Sequence, residues 1–120
     1  MKFSVKEDMV AVSTWQTGKI TLYDFKTLKP TVTWQAHRVS AEALAVSPDG
    51  RFLASTSADG TAKIWDLADQ RLRAVLLGHR GFVYAVAFSP DGRTLATTGY
   101  AQEFDVLLWD VSALNGEHAR

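Results

Sequence analysis

The feature that most restricts how this chain can fold is an internal copy. The pentapeptide Ser47-Pro48-Asp49-Gly50-Arg51 returns unchanged as Ser89-Pro90-Asp91-Gly92-Arg93, 42 residues further on. The same offset relates Ala36-His37 to Gly78-His79, and Trp65-Asp66 recurs as Trp109-Asp110 at an offset of 44. A degenerate member, Tyr23-Asp24, precedes Trp65-Asp66 by 42 residues. Ala43, Ala45, Leu53, Ala54 and Thr56 match Ala85, Ala87, Leu95, Ala96 and Thr98, so the copy extends beyond its turns. The two extra residues of the later copy fall within Gly99-Tyr100-Ala101-Gln102-Glu103-Phe104-Asp105. Self-similarity at such a period means one supersecondary unit stacked on neighbours like itself.

Within each unit, short β-branched or aliphatic runs alternate with turn chemistry at intervals of roughly ten residues, the pattern of an antiparallel meander. Leu44-Ala45-Val46 runs into Ser-Pro-Asp-Gly, where proline presets φ and glycine supplies a left-handed position. Phe52 to Ser57 resumes as a strand, Ala58-Asp59-Gly60 turns, Thr61 to Trp65 returns, and Leu72 to Leu77 forms a fourth strand before Gly78-His79. No segment keeps a 3.6-residue apolar period, which argues against helix. Four strands in 42 residues fit one blade of a β-propeller, and 120 residues make about 2.9 such units. The expected fold is all-β, about three four-stranded antiparallel blades of an incomplete β-propeller.

Gly78-His79, Ser-Pro-Asp-Gly, Leu53-Ala54-Ser55, Asp59-Gly60-Thr61 and Ile64-Trp65-Asp66 stand in an order that resembles the WD-repeat family of β-propellers. The resemblance covers residues 36–110 strongly and 3–35 more weakly, and it is lost after Asp110. It divides the chain into blade one (1–35, degenerate, its first strand truncated), blade two (36–77, the best match) and blade three (78–120, with the two-residue insertion and no fourth strand). Blade one departs from the family pattern with Thr17 at the turn-aspartate position and Tyr23 in place of tryptophan. Blade three departs with its insertion and with Glu103 at the turn-aspartate position.

The resemblance implies a structural hydrogen-bonded tetrad inside a blade, made of the Gly-His histidine, the turn aspartate, a hydroxyl and the strand tryptophan. In blade two these are His37, Asp59, Ser55 and Trp65; in blade three, His79, Thr97 and Trp109, with Glu103 at the acidic position. The departures predict a weaker network in blades one and three. His37, Asp59 and Ser55 or Ser57 also contain the parts of an acyl-transfer triad, but a nucleophile needs an oxyanion hole, and no Gly-x-Ser-x-Gly elbow is present. A buried imidazole that satisfies its nitrogens explains the same residues without catalysis. One Asp in each Asp-Gly turn falls short of a calcium loop. Three His, no Cys and no clustered carboxylates leave no metal site, and no cofactor is implied.

Composition then removes function classes. Thirteen Lys and Arg balance thirteen Asp and Glu without a run of like charges, which disfavours nucleic acid or a membrane surface as partner. Zero cysteines exclude disulfide scaffolds and thiolate chemistry. No apolar run approaches the roughly 20 residues of a membrane helix. The N-terminal stretch lacks the apolar core of a signal peptide, which suits a cytoplasmic protein.

Function in such a fold is expected in loops at the blade ends. In the family the narrow face collects the loops between blades and the loop between the second and third strands of each blade. On this chain it should present Trp15, Arg38, Arg80, Phe82, Tyr100 and Phe104 together with Asp59. Aromatics and arginine dominate binding hot spots, so these residues are the candidate surface for a protein or peptide partner. Trp34, matched by Leu76, reads as blade core. The expected function is a non-catalytic interaction scaffold. The alternative is a small-ligand or enzymatic propeller that uses the central channel.

Propellers generally close with four to eight blades, so about three leave apolar blade faces uncovered. The chain therefore reads as a piece of a longer propeller, or alternatively as a unit that closes with other copies as a homo-oligomer. Residues 1–40 carry six basic and three acidic groups, residues 41–80 five of each, and residues 81–120 two and five. That order would guide a head-to-tail contact between copies.

Overall fold

The computed structural model describes residues 9–14, 16–79, 81–99 and 106–114, and residues 2–6 as backbone. Eleven strands and one 3₁₀ turn make up these parts. β1 (Lys2–Lys6), β2 (Met9–Ser13), β3 (Lys19–Asp24) and β4 (Pro30–Gln35) form the first sheet in chain order. β5 (Ala43–Val46), β6 (Phe52–Thr56), β7 (Thr61–Asp66) and β8 (Leu72–Leu77) form the second, and β9 (Val83–Phe88), β10 (Thr94–Gly99) and β11 (Val106–Asp110) the third. Every pairing is antiparallel, so the molecule is all-β with three propeller blades. The 3₁₀ turn, Ser112–Leu114, follows β11.

β1 pairs with β2 along its whole length, from Lys2↔Ser13 to Lys6↔Met9. The first sheet thus has four strands, where the sequence reading expected its first strand to be cut short. Among the described residues the third sheet has three.

The repeated turns are built alike to within tenths of an ångström. Ser47 Oγ donates to Asp49 Oδ1 at 2.7 Å, Arg51 N–H donates to the same oxygen at 3.0 Å, and Phe52 N–H donates to Ser47 Oγ at 3.0 Å. Ser89, Asp91, Arg93 and Thr94 repeat these bonds at 2.6, 3.0 and 3.0 Å. Gly50 and Gly92 sit at φ of 77° and 75°, as the turn requires. The Asp49 and Asp91 carboxylates are therefore occupied by their own turns.

The inner strands β1, β5 and β9 lie side by side, with β5 touching both of its counterparts. Each blade then buries one face against the next. Ala11, Ile20 and Leu22 of blade one meet Leu53 and Trp65 of blade two, with Val32, Trp34, Leu44 and Val46 packed around them. Trp34 and Trp65 meet edge to face, with ring centroids 5.7 Å apart. Phe52, Ala54 and Ile64 on the other face of blade two meet Leu95, Val86, Phe88 and Trp109 of blade three. The narrow end carries the β2–β3, β4–β5, β6–β7 and β8–β9 loops.

Candidate functional site

His37 is delivered to blade two by the loop that leaves blade one. Its backbone N–H and that of Ala36 both donate to the Gly18 carbonyl at 3.0 Å. Gly18 has φ of 73°, and a Cβ there would collide with the His37 carbonyl oxygen, so only glycine lets the β2–β3 turn and the β4–β5 loop approach this closely. The imidazole is then buried, with its Nε2 2.8 Å from Ser55 Oγ. Ser55 Oγ also accepts a 2.9 Å bond from Trp65 Nε1.

The expected fourth link is looser than the others. His37 Nδ1 lies 3.9 Å from Asp59 Oδ2 and has no hydrogen-bond partner among the described residues. Asp59 spends its other oxygen on its own turn, accepting from the Thr61 N–H at 2.9 Å and the Thr61 hydroxyl at 2.7 Å. Burial, reinforced by the Lys63 charge, lowers the His37 pKa from 6.5 to about 4, against the opposing pull of Asp59 and Ser55. His37 is therefore neutral at pH 7, and its contact with Asp59 is dipole to charge. Burial works against the Asp59 carboxylate, but the Thr61 hydrogen bonds hold its pKa below the usual carboxylate value.

Blade three repeats the arrangement: His79 Nε2 lies 2.7 Å from Thr97 Oγ1, which accepts a 2.9 Å bond from Trp109 Nε1. Glu103 lies outside the described residues. Blade one lacks the hydroxyl. Trp65 pairs with Leu53, Trp109 with Leu95 and Tyr23 with Val10, so the position of Ser55 and Thr97 is taken by Val12. Ser55 and Ser57 are buried, and Ser55 Oγ is committed to His37 and Trp65, so neither is presented to a substrate as a nucleophile.

The narrow end forms the candidate binding site. Gln16 from the β2–β3 loop, Arg38, Val39, Ser40 and Glu42 from the β4–β5 loop, Ala58 from the β6–β7 loop and Phe82 from the β8–β9 loop line one open depression of about 470 Å³. Arg38 is exposed and makes no ion pair among the described residues. Val39 and Phe82 expose 47% and 51% of their surface at its rim. Ser40 Oγ donates to Glu42 Oε2 at 2.6 Å, which fixes the carboxylate at the edge of the depression.

Of the six residues expected on this face, Arg38 and Phe82 are brought together here. Trp15, Arg80, Tyr100 and Phe104 lie outside the described residues. Sequence reasoning passed over Gln16, Val39, Ser40, Glu42 and Ala58. The available signal was Val39, a β-branched residue in a loop with no strand to bury it.

Among the described residues no helix is long and apolar enough to cross a membrane. The sequence is 40% identical over 50 residues to the target of rapamycin complex subunit wat1 of Schizosaccharomyces pombe, covering 40% of this chain and 16% of that protein. It is 37% identical over 68 residues to the target of rapamycin complex subunit LST8 of Saccharomyces cerevisiae, covering 55% of this chain and 22% of the relative. It is also 35% identical over 52 residues to THO complex subunit 3 of Arabidopsis thaliana, covering 43% and 16%. The chain thus spans less than a quarter of the length of each of these relatives, all named as subunits of complexes. The family model described as "WD domain, G-beta repeat" matches residues 28–66 and again 70–110, which span β4 to β7 and the third blade with its approach. With that double match, and with the His–hydroxyl–Trp bonds present in two successive blades, the chain belongs to the WD40 repeat family.

Proposed function

We propose that this chain is a non-catalytic scaffold, part of a ring larger than its own three blades, and that its narrow face holds a protein or peptide partner. The observation that carries this reading is the convergence of four loops from three blades on one depression, where Arg38, with no ion pair among the described residues, stands beside exposed Val39 and Phe82. A guanidinium next to apolar surface suits a segment that offers a carboxylate together with an apolar side chain. The complex subunits to which the chain is similar support protein recognition over chemistry. The sequence pattern assigns Trp15, Arg80, Tyr100 and Phe104 to the same partner-binding role, and Ser55, Thr97 and their histidines belong to the scaffold beneath it.

The test compares captured proteins, identified by mass spectrometry after crosslinking, for the unaltered chain, for Arg38→Glu combined with Val39→Asp, and for Trp15, Tyr100 and Phe104 replaced together by Ala. Both variants should lose the same captured protein by at least tenfold, and circular dichroism should show an unchanged fold. Retention of that protein by both variants would overturn the assignment.

A further inference from the structure

One equivalent point of the three blades carries three different residues, and in blade two it carries a charge that bonds to the loop lining the depression. Cross-strand pairing sets Thr21 opposite Val12, Lys63 opposite Ser55 and Leu107 opposite Thr97. Thr21 shares a 2.8 Å hydroxyl bond with Thr33 inside its own sheet. Leu107 packs on the loop that enters blade three: a Cβ on Gly78, the counterpart of Ala36, would lie 3.1 Å from Leu107 Cδ1. Lys63 instead sends its ammonium to the loop that enters blade two, donating to the Ala36 carbonyl at 3.0 Å.

Lys63 is half-buried and makes no ion pair among the described residues. Its ammonium has the Ala36 carbonyl and, 6.0 Å from the centroid, the Trp65 ring. A lysine kept only for its apolar stem would leave its head in water, whereas this one is turned inward onto a backbone oxygen. The same charge reaches His37 and helps to lower its pKa.

The carbonyl that Lys63 holds belongs to the first anchor of the β4–β5 loop. The N–H groups of Ala36 and His37 go to the Gly18 carbonyl, and the His37 carbonyl accepts from Gln35 Nε2 at 2.7 Å. With Lys63 on Ala36, every backbone polar group of these two residues is bonded. The second anchor is Ala41, whose carbonyl accepts from Ser13 Oγ at 3.4 Å, and Glu42, whose N–H donates to the Thr56 carbonyl at 2.7 Å. Between the anchors, Arg38, Val39 and Ser40 have no backbone hydrogen bond among the described residues, yet all three line the depression. Their place is set by the anchors alone, and Lys63 is the charged donor of the first.

We propose that Lys63 is a positioning residue for the narrow-face depression: through the Ala36 carbonyl it fixes the loop that presents Arg38 and Val39. The consequence for a partner rests on the narrow-face reading above, whereas the position of the loop can be measured in the free chain.

The chain has no cysteine, so Lys63→Cys creates its single thiol. Alkylation with 2-bromoethylamine restores an ammonium at nearly the length of lysine, and alkylation with iodoacetamide adds a neutral group. In the neutral form, the ¹⁵N order parameters of Arg38 and Val39 should fall from about 0.85 to below about 0.6, while those of Leu53 and Ser55 in β6 stay unchanged. The aminoethylated form should restore them. The protein captured by the unaltered chain should be lost at least fivefold by the neutral form and regained by the aminoethylated one. Order parameters unchanged in the neutral form, an equal fall in β6, or no recovery with the restored charge would overturn the proposal. A loosened loop that still retains the captured protein would overturn the positioning role and leave the narrow-face reading standing. Retention by the two depression variants would overturn that reading, with the loop measurement unaffected.

Discussion

His37 Nε2 and Ser55 Oγ meet at 2.8 Å across a separation of 18 residues, and His79 Nε2 and Thr97 Oγ1 meet at 2.7 Å across the same separation. The imidazole arrives from a loop and the hydroxyl from the second strand of the blade. The tryptophan of the third strand completes each contact, so every one of these bonds ties a loop to two strands.

Ser55→Ala removes the partner of both His37 Nε2 and Trp65 Nε1 and leaves two buried polar groups unpaired. At about 1–3 kcal/mol for each such group, the substitution should cost about 2–6 kcal/mol. Urea unfolding would read this as a lower midpoint at unchanged slope. Thr97→Ser keeps the oxygen and should cost under about 1.5 kcal/mol.

The lowered pKa of His37 gives stability a definite pH dependence. Between about 4 and 6.5 the unfolded chain binds a proton at this residue that the folded chain does not. Stability is thus fully present above about pH 6.5 and falls as the pH drops toward 4, by on the order of 3 kcal/mol for this one group. Thermal melts from pH 7.5 to 4.5 should show Tm falling. The fall should shrink in Lys63→Met, where the charge that helps to hold the imidazole neutral is gone.

Two glycines with nearly equal φ should respond differently to alanine. A Cβ on Gly18 runs into the His37 backbone carbonyl, whereas a Cβ on Gly92 comes only within 3.6 Å of the Pro48 ring, an ordinary contact. Gly92→Ala should cost about 1 kcal/mol of backbone strain, and Gly18→Ala about 3 kcal/mol with loss of the His37 chemical shift that marks the closed loop. Equal costs would show that the loop moves aside without penalty.

The two tryptophans that meet edge to face differ in what their N–H groups do. Trp65 Nε1 donates to Ser55, while Trp34 Nε1 is buried with no partner among the described residues. Trp34→Phe keeps an aromatic contact and sheds an unpaired donor, so Trp65→Phe should be the more destabilising by about 1–2 kcal/mol in guanidinium melts.

Much of this architecture was legible because its determinants are local. Ser-Pro-Asp-Gly closes its turn with its own side chains, so both copies could be placed without a partner strand. The hydroxyl, imidazole and indole of the tetrad were legible by type and order. The blade-three network, where departures predicted weakness, holds its His79, Thr97 and Trp109 bonds because none of them passes through the insertion. Blade one was less transparent. Counting 42 residues back from Ser55 lands on Ser13, yet cross-strand pairing puts Val12 at that place, because the β2–β3 connection (14–18) is one residue longer than β6–β7 (57–60). Pairing, and not the period, decides which side chain faces inward. The depression was only half legible for a related reason: Gln16, Val39 and Ala58 become neighbours through the angle between blades, which no stretch of sequence encodes alone.

The shared acceptor at Gly18 has a consequence for how the protein can lose or gain parts. Because a carbonyl in blade one anchors the N–H groups of Ala36 and His37, the histidine that completes blade two stands on its predecessor's turn. Excising the first sheet at residue 35 would leave all four strands of the second in place and still unmoor its imidazole. The segment that can be shuffled by duplication or deletion is thus offset from the sheet it appears to encode. Melting should accordingly run as one transition across neighbouring sheets, and not sheet by sheet.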